Sequence, residues 1–110
     1  MNIRDRIIEE VQLLASPAAQ LAYEKSLTVA GHAPTELVCG FCDDLYQPKS
    51  RQFNDAFSSD ELRDLAHLYG LIVEASHGNH PSVSVMLKDS RWRRVVTAAK
   101  DVSSRLGSAT

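Results

Sequence analysis

Apolar residues recur along this chain at three- and four-residue steps, the spacing that places them on one face of an α-helix. Ile3, Ile7, Val11 and Leu14, with Ile8 beside them, form a first stripe and predict a helix over 1–15. Ser16-Pro17 interrupts it with a good N-cap followed by a proline suited to the first helical position. A second helix is therefore expected over 17–30, showing Leu21, Ala22 and Leu27 to the core, with Gly31 as its C′ residue. Pro34 opens a third over 34–46, in which Leu37, Val38, Phe41 and Leu45 share a face, and the segment from Tyr46 to Ser50 begins a loop. Ser58 and Glu61 have the spacing of a capping box. The helix they start, over 59–76, carries the stripe Leu62, Leu65, Ala66, Tyr69, Ile72 and Val73. After the break from Ser76 to Pro81, a last helix over 90–106 sets Trp92, Val95, Val96, Ala99, Val102 and Leu106 at helical spacing, with Gly107 as its stop and a flexible tail beyond.

Only Ser82 to Leu87 alternates in the manner of a strand. A lone strand has no partner in a helical chain, so a short helix or turn is expected there. The pattern as a whole predicts an all-α, single-domain bundle of about five helices. Its core is expected on Leu62, Leu65, Tyr69, Ile72, Trp92, Val95 and Val96.

Composition adds one thing that the pattern does not contain. At 110 residues and 44% hydrophobic, the chain has the size and apolar content for one core without a metal or disulfide staple. Its formal charge of -2 predicts no long-range attraction of the whole molecule to nucleic acid. That small total conceals an asymmetry. Between Glu36 and Asp64, seven acidic residues face Lys49, Arg51 and Arg63, a local balance of -4. Between Lys88 and Arg105, six basic residues face Asp89 and Asp101, a local balance of +4. The start of the chain lacks the apolar core of a signal peptide, and no stretch has the roughly 18 apolar residues of a membrane helix. A cytoplasmic location without membrane association is expected, with both cysteines as thiols.

The candidate chemistry is sparse. Cys39-Gly40-Phe41-Cys42 has the C-x-x-C spacing of a redox pair. Such a pair needs a helix N-terminus to lower its thiol pKa, whereas this one lies within a helix and beside Asp43-Asp44, which raise it. Adding His77 and His80 makes a two-cysteine, two-histidine set of zinc-ligand type, but its halves lie far apart and the histidines stand in a turn, where solvated side chains are expected. No nucleophile elbow, no H-E-x-x-H and no phosphate-cradling glycine loop occurs. Asp43 and Asp44, as helix neighbours, point about 100° apart and do not face each other across a cleft. No catalytic residue, metal or cofactor is expected. Arg91, Arg93 and Arg94 offer a nucleic-acid reading, yet they flank Trp92, which the apolar stripe requires for the core, and the excess charge is narrow.

The segment from Glu36 to Tyr46 is left. Its apolar face turns inward, and Glu36, Asp43, Asp44 and Tyr46 remain on the other side, with Asp55 and Asp60 following in sequence. Carboxylates near a helix C-terminus stand against the macrodipole at a cost of about 0.3–1 kcal/mol. An unfavourable position beside an aromatic suggests the docking of a basic partner.

The run from Glu36 to Pro48, ELVCGFCDDLYQP, resembles the ELxxxWFDDLYxP-type segment of small bacterial proteins associated with polymorphic toxins, with Cys42 departing from its aromatic-acidic run. Phe57 to Leu62, and Asp89-Ser90-Arg91-Trp92 with Val95, are similar as well. Over residues 17 to 106 the chain resembles the immunity proteins of contact-dependent growth inhibition systems. The resemblance implies a stoichiometric inhibitor, not an enzyme. It would bind the C-terminal domain of a cognate toxin, a basic nuclease such as a tRNase, and protect the producing cell. Glu36, Asp43, Asp44, Tyr46, Asp55 and Asp60 would form the toxin-binding face. A nucleic-acid-associated regulator acting through the last helix, or a zinc or thiol module on Cys39 and Cys42, would be the alternatives.

Overall fold

In a computed structural model of the chain, the structure is described for residues 2–27 and 32–108. These form α1 (Ile3–Leu14), α2 (Pro17–Ser26), α3 (Ala33–Cys42), α4 (Arg51–Asp55), α5 (Ser59–Ala75), α6 (Val83–Met86) and α7 (Ser90–Ser108). The five expected helices are present, together with two short ones. One of these, α6, replaces the alternating segment, which has no partner strand among the described residues. The other, α4, lies in what was read as loop; Ser50 caps it by accepting from the Phe53 N–H, and Phe53 is buried beneath it.

The N-terminal caps follow the sequence signals. The Ser16 hydroxyl accepts from Ala19 N–H ahead of Pro17. The Ser58–Glu61 capping box is complete, with each side chain accepting from the other residue's backbone N–H. Helix ends were less legible. α2 stops at Ser26, with Leu27 as its C-cap, and Gly31 lies outside the described residues. α3 stops at Cys42 instead of reaching Tyr46, because Asp44 N–H and Tyr46 N–H bond five residues back, to Cys39 O and Phe41 O. That wider turn swings the Tyr46 ring against Phe41, Phe53 and Tyr69. α7 runs through Gly107 to Ser108, two residues past its expected end, so part of the expected flexible tail is helix and the rest lies outside the described residues.

α7 is the spine of the bundle. Arg105, near its end, reaches Asp64 near the start of α5 at 2.7 Å, and its Leu106 carbonyl lies beside Arg4 at the start of α1, so α7 runs antiparallel to both. α3 also packs on α1 and α5 but shares no comparable contact with α7; the two lie across the bundle from each other. The core joins Ile7, Val11 and Leu14 of α1 to Leu37 and Phe41 of α3, Leu65, Leu68 and Ile72 of α5, and Trp92, Val95, Ala99 and Val102 of α7.

Two core expectations need correction. Tyr69 is 36% exposed, and Ala66 is also exposed, whereas Leu68 and Ala75 are fully buried. The buried face of α5 is Leu65, Leu68, Ile72 and Ala75, because the helix faces α7 more than α3. In α2, Ala22 is exposed and the buried residue is polar Gln20.

Candidate partner-binding face

The acidic residues of α3 are brought together with a carboxylate that the pattern did not single out. Gly40 lets α1 approach: a Cβ at that position would lie 3.0 Å from Glu10 Oε1. The Glu10 carboxyl therefore rests against the backbone of α3 at Gly40, within reach of the Asp44 charge. Burial, and then the charge of Asp44, push its pKa up to about 7. The same neighbourhood raises the Tyr23 hydroxyl through burial, then Glu36 and Glu10. It raises the Cys39 thiol through burial, then Asp43, Glu36 and Asp44. Glu36 stands exposed in the first turn of α3, Asp43 is its exposed C-cap and Asp44 follows, also exposed. Among the described residues, none of Glu10, Glu36, Asp43 and Asp44 forms an ion pair. Glu10 and Asp44 repel each other, and with Glu36 and Asp43 they give α1 and α3 a shared acidic surface whose carboxyls are not ion-paired among the described residues.

The rest of the expected face is elsewhere. Asp55 pairs with Arg51 at 3.8 Å on α4, and Asp60 with Arg63 at 3.8 Å on α5. Neither acts on Glu10, Tyr23 or Cys39. Tyr46 does adjoin the acidic turn, but its ring is half-buried and stacked, 5.6 Å from Phe41 and 4.8 Å from Tyr69 between centroids. Phe53, against whose ring Tyr46 packs edge-on, is 1% exposed and belongs to the core.

The thiol and zinc readings lose ground on geometry. Both cysteines are free and half-buried. Cys42 is pushed up to about 11 by burial, then Asp43 and Cys39, which is opposite to thiolate activation. His80 is not a solvated loop residue: it is 8% exposed, and its Nε2 lies 2.8 Å from Asp89 Oδ2. Cys39, His32 and His80 line one cavity of about 170 Å³. Among the described residues, however, no group of three or more His, Cys, Asp or Glu stands close enough to hold a metal ion.

The basic reading is narrowed in the same way. Arg91 is drawn back onto Asp89, to which it donates from Nε and Nη2 at 3.3 and 3.1 Å. Trp92 is fully buried, which leaves Arg93 and Arg94 as the exposed arginines of that run. No helix among the described residues is long and apolar enough to cross a membrane. In comparisons with protein-family models, with curated proteins and with solved structures, nothing matches the chain.

Proposed function

We propose that this chain is a stoichiometric inhibitor that neutralises a basic partner protein through the face formed by Glu10, Glu36, Asp43 and Asp44. In the setting implied by the resemblance, it is a cytoplasmic immunity protein of a contact-dependent growth inhibition system, and its partner is the C-terminal nuclease domain of the toxin. The supporting observation is the cluster of four carboxylates without a cationic partner among the described residues. A surface of this kind repels itself in the free chain and gains on contact with lysines or arginines. A nuclease must present such residues to its phosphate substrate. Complementary charge brings rapid, specific association, and occupation of the substrate surface suffices for inhibition; no catalytic group is needed. Asp55 and Asp60, each beside its own arginine, are rim contacts at most in this reading.

The test is calorimetry with the C-terminal domain of a large secreted protein encoded immediately upstream. One-to-one, salt-sensitive binding is expected, and the D43K/D44K variant should bind on the order of a hundredfold more weakly while folding normally. A double variant that still binds and protects as well as the unaltered chain would sink the assignment.

A further inference from the structure

On the far side of the bundle from α3, the antiparallel pair α5 and α7 leaves its outer groove uncovered. His67 and Leu71 line it from α5, one helical turn apart. Arg93, Arg94, Thr97 and Ala98 line it from α7 on successive turns. It is a shallow trough of about 470 Å³, lined by the half-buried side chains of Leu71 and Ala98. The inner groove of α7 is filled by α1; the outer one has no helix in it among the described residues. Arg93 and Arg94 are exposed, and neither makes an ion pair or a side-chain hydrogen bond there, unlike Arg4, Arg91 and Arg105.

We infer that this groove is a second docking surface, and that its occupant is an acidic amphipathic helix of a partner protein. A groove between two antiparallel helices accepts a third helix through apolar residues at three- and four-residue steps. Leu71 and Ala98 supply the apolar floor for those residues. Charge complementarity selects the occupant: two unpaired guanidinium groups on the rim suit carboxylates flanking its apolar stripe. Asp101, at the other end of the trough, sets the direction by favouring a basic residue there. The inference is independent of the acidic face, since it involves neither α3 nor Glu10.

The probes are two synthetic helical peptides of about 18 residues. Both carry leucines at helical spacing, flanked in one by glutamates and in the other by lysines. Titrated into the isotope-labelled chain, the glutamate peptide should saturably shift the amide resonances of His67, Leu71, Thr97 and Ala98. The lysine peptide should bind at least about tenfold more weakly, and R93E/R94E should invert the preference. Circular dichroism checks the fold of that variant; if it fails to fold, Arg94→Gln alone should weaken the glutamate peptide. Equal affinity for both peptides, no saturation, or shifts confined to Glu36–Asp44 would each overturn the inference. So would concentration-dependent self-association of the peptide-free chain that R93E/R94E abolishes, because the occupant would then be a second copy. None of these outcomes touches toxin binding through α3, which is read separately.

Discussion

The indole N–H of Trp92 donates to the side-chain carbonyl of Gln20 at 2.9 Å, joining residues 72 positions apart in the centre of the molecule. Both side chains are fully buried. Gln20 also donates from Nε2 to the carbonyls of Leu13 and Leu14, at 3.2 and 3.0 Å. One amide thus satisfies the last turn of α1, ties α2 to it and orients the largest side chain of α7. Gln20→Ala strands the indole N–H and the Leu14 carbonyl at once, while the Leu13 carbonyl keeps the Ser16 N–H, and should cost about 2–4 kcal/mol in urea unfolding. Trp92→Phe, which retains most of the packing, should cost less than Gln20→Ala plus a second core truncation of the Trp92→Ala kind. A Gln20→Ala variant as stable as the unaltered chain would show that the network carries no net stability.

Glu61 and Arg4 govern the acid limb of stability. Arg4 donates to both Glu61 oxygens, at 2.9 and 2.8 Å, while Glu61 also closes the capping box of α5. The Arg4 hydrogen bonds, and then that of the Ser58 backbone, lower the Glu61 pKa to about 2. A lowered folded-state pKa stabilises the fold above the unfolded value of 4.5, and this contribution is lost as pH falls from there towards 2. Asp89, held down by Arg91 and His80, acts in the same sense. Arg4→Ala should flatten the acid limb and remove about 1–2 kcal/mol at neutral pH, a figure already reduced for solvent screening. An unchanged acid midpoint in Arg4→Ala would contradict it.

Glu10 works in the opposite direction. Its folded-state pKa of about 7 stands above the ordinary 4.5, so the folded chain binds more protons between those values and stability falls as pH rises through them. Above about 7 the penalty is constant. Glu10→Gln should abolish this slope and stabilise the chain at pH 8 by about 1–2 kcal/mol, the group being half-buried and partly screened. Together with Glu61, this places the stability maximum near pH 4.5 as far as these two groups decide it. Thermal unfolding from pH 3 to 9 reads both slopes. A basic partner should reverse the Glu10 penalty, so that binding releases a proton at pH 6, measurable as a buffer-dependent heat.

These residues also show where sequence pattern stops. The stripes of α1 and α7 were legible because each helix buries one simple face, and the caps at Ser16 and Ser58 were legible because their partners lie three residues away. On α5, contact with two neighbours rotated the buried face from Tyr69 to Leu68, and periodicity alone does not fix that rotation. Gln20 drew no expectation and His80 a solvated one, because their partners, Trp92 and Asp89, are brought to them only by the tertiary fold. The acidic face was half legible: Glu36, Asp43 and Asp44 were found on one segment, but Glu10 arrives from another helix. The sign of that approach was Gly40, whose lack of a side chain was read only as part of the cysteine motif. Asp55 and Asp60 were grouped with the others by composition, and each stands instead beside its own arginine.

Two glycines give opposite outcomes for the same substitution. Neither has a positive φ, so the difference lies in what a new methyl group meets. At Gly40 the contact is the end of the Glu10 side chain, at 3.0 Å. A groove beside Glu10, lined also by Arg6, Glu9 and Leu13, leaves room for that carboxylate to move. Gly40→Ala should therefore gain helix propensity, stabilise the chain by up to about 1 kcal/mol, and return the Glu10 pKa towards the ordinary range. At Gly78 the methyl would lie 2.6 Å from Arg91 Nη2 and 2.8 Å from the Nε2 of buried His80. Both groups are held by Asp89, so they do not yield independently. Gly78→Ala should cost about 1–3 kcal/mol through overpacking. Urea midpoints that move in the same direction for the two variants would contradict this account of both contacts.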